Sequence, residues 1–169
     1  MKTRKLTTMA LLSAIALTIF IIEAQIPAPV PIPGIKLGLA NIVTVYAVYA
    51  LGAKEGAAIL FVRIFLGAVF SGNFGTIIYS AAGGALAILT TIGLKLVLRE
   101  NQLWITGCLS AIAHSIGQMI VAVWATGTPS LLIYLPVLIV CSVIAGVFTG
   151  LCAQLLVKRG RDLWKTIFK

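Results

Sequence analysis

Six apolar segments fill nearly the whole of this 169-residue chain, and the only charges set deep against them are Glu23, Lys36 and Arg63. With 60% of residues hydrophobic and 10% charged, the chain is too apolar for a soluble domain of its length, so the solvent of its outer surface is lipid. An ionisable group at bilayer depth costs roughly 2.5–3.5 kcal/mol on insertion scales, and one that persists usually faces a cavity, a partner or a substrate. The pattern predicts a small, all-α, polytopic membrane protein with a polar site inside it.

Apolar runs approaching the roughly twenty residues of a membrane-crossing helix place spans at Leu6 to Ile26, Leu37 to Leu51, Ala57 to Phe70, Gly75 to Leu98, Leu103 to Thr126 and Leu131 to Val157. Residues 1–157 read as a single transmembrane domain and 158–169 as a basic tail. The segment Pro27-Ala-Pro-Val-Pro-Ile-Pro-Gly34 cannot continue a helix, because each proline removes a backbone donor and restricts the residue before it. It is the one substantial loop; the other breaks are short enough to make consecutive spans antiparallel. Spans two and three are short. Either non-helical backbone lies at membrane depth, covered by protein or lining a cavity, with the proline loop dipping in as a lid, or these boundaries are drawn too tightly.

Eleven of the thirteen Lys and Arg residues fall on one side of a six-span arrangement, at the N-terminus, Lys54, Lys95, Arg99 and the tail. Both termini are therefore expected in the cytoplasm. The net charge of +9 is not a nucleic-acid footprint, because the basic residues lie between apolar segments and not in a stripe beside stacking aromatics. The N-terminal Met1-Lys-Thr-Arg-Lys5 with its apolar run also fits a secretory signal, but the run is long for a signal core and leads into further spans. In the tail, Leu163, Trp164, Ile167 and Phe168 sit at near-helical spacing among basic residues, the composition of an anchor on an anionic leaflet or of a docking site for a cytoplasmic partner.

The polar residues gather in the outer half of this arrangement. Glu23 and Gln25 close span one, Lys36 and Asn41 open span two, Arg63 is near the middle of span three, and Asn73 lies just beyond its end. His114 and Gln118 are four apart on span five and so share a helical face, while Tyr79 and Tyr134 fall in the outer parts of spans four and six. Lys36 and Arg63 favour a carboxylate or phosphate, Lys as a point charge and Arg through a bidentate fork. His114, Gln118 and Asn41 can add directional hydrogen bonds, and the tyrosines an apolar wall with a polar tip. The plainer readings are that Arg63 pairs with Glu23 to join two helices, that His114 is satisfied by a neighbouring carbonyl, and that Asn41 is structural.

Several chemistries are excluded or disfavoured. One histidine, with Cys108, Cys141 and Cys152 set singly in apolar spans, does not make a zinc site. No G-x-x-x-x-G-K-[ST] loop is present, so the chain has no ATPase of its own. Asp162 is the single aspartate, so no acidic cluster can hold the magnesium ions of a prenyl-diphosphate reaction. No cofactor and no catalytic residue are expected. Two small-residue steps, Ala10-x-x-x-Ala14 on span one and Gly146-x-x-x-Gly150 on span six, permit close helix approach.

The run Pro33-Gly-Ile-Lys-Leu-Gly-Leu-Ala-Asn-Ile42, the turn Gly52-Ala-Lys-Glu-Gly56 and Phe61-Val-Arg-Ile-Phe-Leu-Gly67 resemble the bacterial membrane proteins catalogued as heptaprenyl diphosphate synthase component I, also called Gx transporters. The likeness covers about Thr7 to Val157. Those proteins are in turn similar to the substrate-binding S components of energy-coupling factor transporters. That similarity implies six helices in the bacterial plasma membrane, a ligand pocket near the outer face, and a partnership with a transmembrane coupling subunit and two cytoplasmic ATPases. It also implies that Ala10 and Ala14 meet the coupling subunit. The two family names imply different functions. One is capture of a small anionic compound, such as an isoprenoid or quinone precursor; the other is a non-catalytic membrane scaffold for a soluble prenyl synthase. A solitary facilitator is a third possibility.

Overall fold

The computed structural model describes residues 2–26, 32, 35–72 and 74–167, with the backbone alone for 2 and 161–167. Those residues form six α-helices and no strand: α1 Lys2–Glu23, α2 Asn41–Ala50, α3 Ala53–Ser71, α4 Thr76–Val97, α5 Leu103–Thr126 and α6 Leu135–Ile167. Four of them, α1, α4, α5 and α6, contain stretches long and apolar enough to cross a membrane. The surface is inverted relative to a soluble protein: Phe61, Leu96, Ile133 and Trp124 are among many large apolar side chains pointing outward. The buried set holds Thr91, Thr106, Ser110, Ser115 and Ser142. Short side chains that bond across helices are how bundles pack where burial from water cannot drive association.

Span one shifts toward the N-terminus, with α1 at Lys2–Glu23 against the expected Leu6 to Ile26, and four other boundaries move. The two short spans have different explanations. Helix α3 runs for 19 residues, about 28 Å at the α-helical rise, so its span was drawn too tightly; Lys54, Glu55 and Arg63 interrupt its apolar run. Helix α2 is short in fact. Its 10 residues reach about 15 Å, half a hydrocarbon core, and begin at Asn41, not Leu37. A non-helical strap, 35–40, brings the chain into it, with Ile35, Gly38 and Ala40 buried. The third and fourth shifts concern span six. A 3-10 turn, Pro129–Tyr134, delays α6 to Leu135, and α6 continues unbroken past Val157 to Ile167. Of the proline-rich loop, residues 27–31 and 33–34 lie outside the described residues, so its expected role as a lid does too.

Helix α5 is the spine. It packs antiparallel to α6, with Gly107 against Gly146 and Gly150, and Ser115 hydrogen-bonded to Ser142 at 2.6 Å. A Cβ on Gly146 would sit 2.7 Å from Cys108 Cα and from the Gly107 carbonyl. The Gly146-x-x-x-Gly150 step is thus spent on internal packing. On its other side α5 meets α4 antiparallel, through Gly117 against Ala82 and Gly83 and through the Thr91–Ser110 hydrogen bond of 3.1 Å. Helix α1 runs parallel to α3, joined by a Lys5–Glu55 ion pair at one end and by Phe20 packed on Gly67 toward the other.

Helix α2 lies inside this bundle, apolar on most sides, with Val43, Val45, Ala47 and Val48 buried. Its C-terminal carbonyls end within protein and need donors. The Leu51 and Gly52 N–H groups donate to the Ala47 carbonyl, and the half-buried Lys95 ammonium of α4 donates to that of Val48 at 2.6 Å. A cation at a helix C-terminus also complements the helix dipole. Lys95→Met should therefore lower stability by about 1.5 kcal/mol, the lower end for a charged hydrogen bond because the site is half-exposed. Thermal unfolding of the purified protein in detergent checks this; an unchanged midpoint would show that the carbonyl finds another donor.

A polar cavity beneath the strap

The strap 35–40, α1, α3, α4 and α5 converge on one enclosed space. Phe20 and Glu23 come from α1, Lys36 and Gly38 from the strap, Arg63 from α3, Ser80 from α4, and His114 and Gln118 from α5; together they line a narrow cavity of about 10 Å³ open to the centre of a water molecule. Glu23, Arg63, Ser80, His114 and Gln118 are all buried. Sites for drug-sized ligands typically measure about 300–1,000 Å³. The space as it stands has room for about one water molecule, so a larger ligand requires its walls to part.

Each lining residue is placed by an identifiable local feature. Glu23 ends α1 three residues after Phe20, so both face the same way. Its Oε1 accepts the Gly38 N–H at 2.5 Å, and the Gln118 Oε1 accepts the Lys36 N–H at 3.3 Å. Those two bonds fasten the strap to the bundle. Gly38 has φ +80°, and a Cβ there would stand 2.9 Å from Asn41 Nδ2 and from His114 Cδ2. Gly83 closes on the opposite edge of the same imidazole, at 2.8 Å from Nδ1 to its notional Cβ. Gly38→Ala should displace strap and imidazole together, costing about 1–3 kcal/mol through backbone strain and overpacking. Thermal unfolding beside a Gly72→Ala control tests this, since Gly72 also has positive φ but no neighbour within 4 Å.

The two cations share one aromatic floor. The Lys36 ammonium lies 3.5 Å from the Phe20 ring centroid and the Arg63 guanidinium 5.8 Å. Cation–π contact offsets part of the cost of burial but supplies no hydrogen bonds. Burial pushes the Lys36 ammonium below the ordinary lysine range; Glu23 opposes this and Arg63 adds to it. Arg63 makes no ion pair with Glu23, and its Nε and Nη2 are buried without a hydrogen-bond partner. His114 Nδ1 and both amide atoms of Asn41 are in the same condition. Buried polar atoms nearly always find partners, so this concentration of unmet polar atoms calls for an explanation.

The sequence expectations sort accordingly. Glu23, Lys36, Arg63, His114 and Gln118 come together, and Asn41 borders them through Gly38. Tyr79 and Tyr134 instead pack on an adjoining apolar cluster of Ile32, Ile35, Met119, Ala122 and Leu138. Gln25 is exposed, and Asn73 lies outside the described residues. Ala10 and Ala14 are exposed on α1. The three cysteines are half-buried free thiols. Phe20, Gly38 and Ser80 were not anticipated as site residues. Phe20 was legible from its i, i+3 relation to Glu23; Ser80 carries no distinguishing signal.

Residues 12–156 match the family model described as heptaprenyl diphosphate synthase component I. No curated protein and no solved structure matches the chain.

Proposed function

We take as premise that this chain belongs to the heptaprenyl diphosphate synthase component I family, and we propose that it is a substrate-binding membrane subunit of an energy-coupling factor type importer. In this reading all six helices belong to the membrane domain, with α2 short and shielded by its neighbours, and both termini are in the cytoplasm of a bacterial cell. The chain carries no catalysis. It takes a small anionic compound from outside into the cavity beneath the strap, then associates through the α1 face bearing Ala10 and Ala14 with a transmembrane coupling subunit and two cytoplasmic ATPases. The tail from Lys158 rests on the anionic inner leaflet.

The observation that carries the reading is Arg63. A buried guanidinium with two unpaired nitrogens, beside a second cation and within a cavity, is costly unless an anion completes it. A scaffold needs no such site. The basic residues Lys5, Lys54, Lys95 and Arg99 sit at the opposite end of the bundle, which fits a site opening away from the cytoplasm.

The family name favours a second reading, since it designates one component of a synthase. A non-catalytic membrane scaffold for a soluble prenyl synthase depends on the basic tail and tolerates substitution in the cavity. Mild solubilisation of the tagged chain from its native membrane, with mass spectrometry of what copurifies, separates the two. Recovery of two ABC-type ATPases and a polytopic coupling subunit is expected. A prenyl synthase recovered without ATPases would replace transport with scaffolding.

A further inference from the structure

The cavity's charges constrain the ligand more closely than its shape does. Lys36 and Arg63 contribute two positive charges and Glu23 one negative, a net of +1 among the charged lining residues. His114 is left out of this count of fixed charges. Glu23 is not free to leave, since its Oε1 holds the Gly38 N–H and with it the strap. A ligand bearing one negative charge brings the sum to zero. A diphosphate, with two or more, leaves at least one uncompensated charge beside the Glu23 carboxylate, in surroundings where each such charge costs several kcal/mol.

The adjoining residues specify the rest of the molecule. Lys36 is preceded in the strap by Ile35 and Ser80 in α4 by Tyr79, while Gln118 in α5 is followed by Met119 and Ala122. Each polar residue borders the cavity while its neighbour belongs to the apolar cluster that includes Leu138 and Tyr134. The cavity and this apolar cluster thus share the strap, α4 and α5, through neighbouring residues of each.

We propose that the ligand is an amphipathic monoanion of carboxylate type, its single charge held between Arg63 and Lys36 and its aromatic or apolar body directed to the Tyr79–Tyr134 cluster, and that prenyl diphosphates are excluded. This rests on the reading of the cavity as a ligand site. Carboxylate geometry suits the two unpaired Arg63 nitrogens, which can donate in parallel to its two oxygens.

The test is thermal stabilisation of the full-length protein in detergent by benzoate, phenylacetate and 4-hydroxybenzoate on one side and inorganic pyrophosphate and isopentenyl diphosphate on the other. Wild type should respond to at least one carboxylate and to neither diphosphate, and Arg63→Met should abolish that response. Glu23→Gln keeps an acceptor for Gly38 but raises the net charge to +2, so the preference for carboxylate over pyrophosphate should fall by about tenfold or more. Tighter binding of a diphosphate to wild type, lost in Arg63→Met, would overturn the monoanion assignment and leave the ligand site standing. Absence of any response to both classes, or responses unaffected by Arg63→Met, would overturn the ligand site and the monoanion together.

Discussion

Arg63→Met should raise the apparent melting temperature of the ligand-free protein while removing its response to anions. Residues that hold helices together lower stability when removed; residues that wait for a ligand do not. Arg63 is buried, its Nε and Nη2 have no partner, and no ion pair joins it to Glu23. Replacing a buried charge with an apolar side chain of similar volume is commonly neutral or stabilising by about 1–4 kcal/mol. Methionine fills the guanidinium's path without demanding donors or acceptors. Unfolding in detergent is to be read as an apparent midpoint at fixed scan rate, since membrane proteins seldom refold. A fall of several degrees would mean that attraction between Arg63 and Glu23, even without direct contact, holds α1 to α3. That is the plainer reading of these two residues, and it would remove the basis for a ligand at this position.

The second large effect is expected far from the cavity. Gly146→Leu should nearly abolish folded yield, because the atoms its side chain meets are backbone and an alanine Cβ, none of which can rotate away. A Cβ alone would be 2.7 Å from Cys108 Cα and from the Gly107 carbonyl, and 2.8 Å from the Ala111 Cβ. Side chains can rotate away from an intruder, whereas two helix backbones can only move apart. Overpacking costs about 1–3 kcal/mol where neighbours can yield, and more where they cannot. Separating α5 from α6 also breaks the buried Ser115–Ser142 bond. Gly93→Ala provides the control: this glycine is helical, has nothing within 4 Å of its notional Cβ, and should gain up to about 1 kcal/mol from better helix propensity. Size-exclusion profiles of the two variants settle the matter; a monodisperse Gly146→Leu protein at wild-type yield would refute the packing argument.

Much of this architecture could be read from the chain because lipid makes simple demands. The all-α class follows from apolar length alone, since a backbone in hydrocarbon must bond internally. The gathering of Glu23, Lys36 and Arg63 around one cavity fits the expense of charge at depth. The i, i+4 relation of His114 and Gln118 put both on the cavity face of α5. Boundaries were less legible. Helix α3 is longer than its apolar run because Ala53 to Gly56 are helical despite Lys54 and Glu55, and the start of α6 depends on a 3-10 turn that hydropathy does not register.

What the sequence determined by itself is which groups must be hidden from lipid and, through the placement of its basic residues, which end of the bundle they avoid. What only the tertiary structure decided is how they are shared out. Whether Arg63 meets Glu23 depends on a backbone N–H at Gly38, fifteen residues away from Glu23, which takes the carboxylate instead. Whether Tyr79 and Tyr134 line the polar cavity depends on the apolar cluster of Ile32, Ile35, Met119, Ala122 and Leu138, on which both pack instead. Composition and periodicity act along one helix at a time and set the need for a partner. The partner itself is chosen by the few ångströms that helix packing allows between elements distant in sequence, and no local pattern encodes that distance.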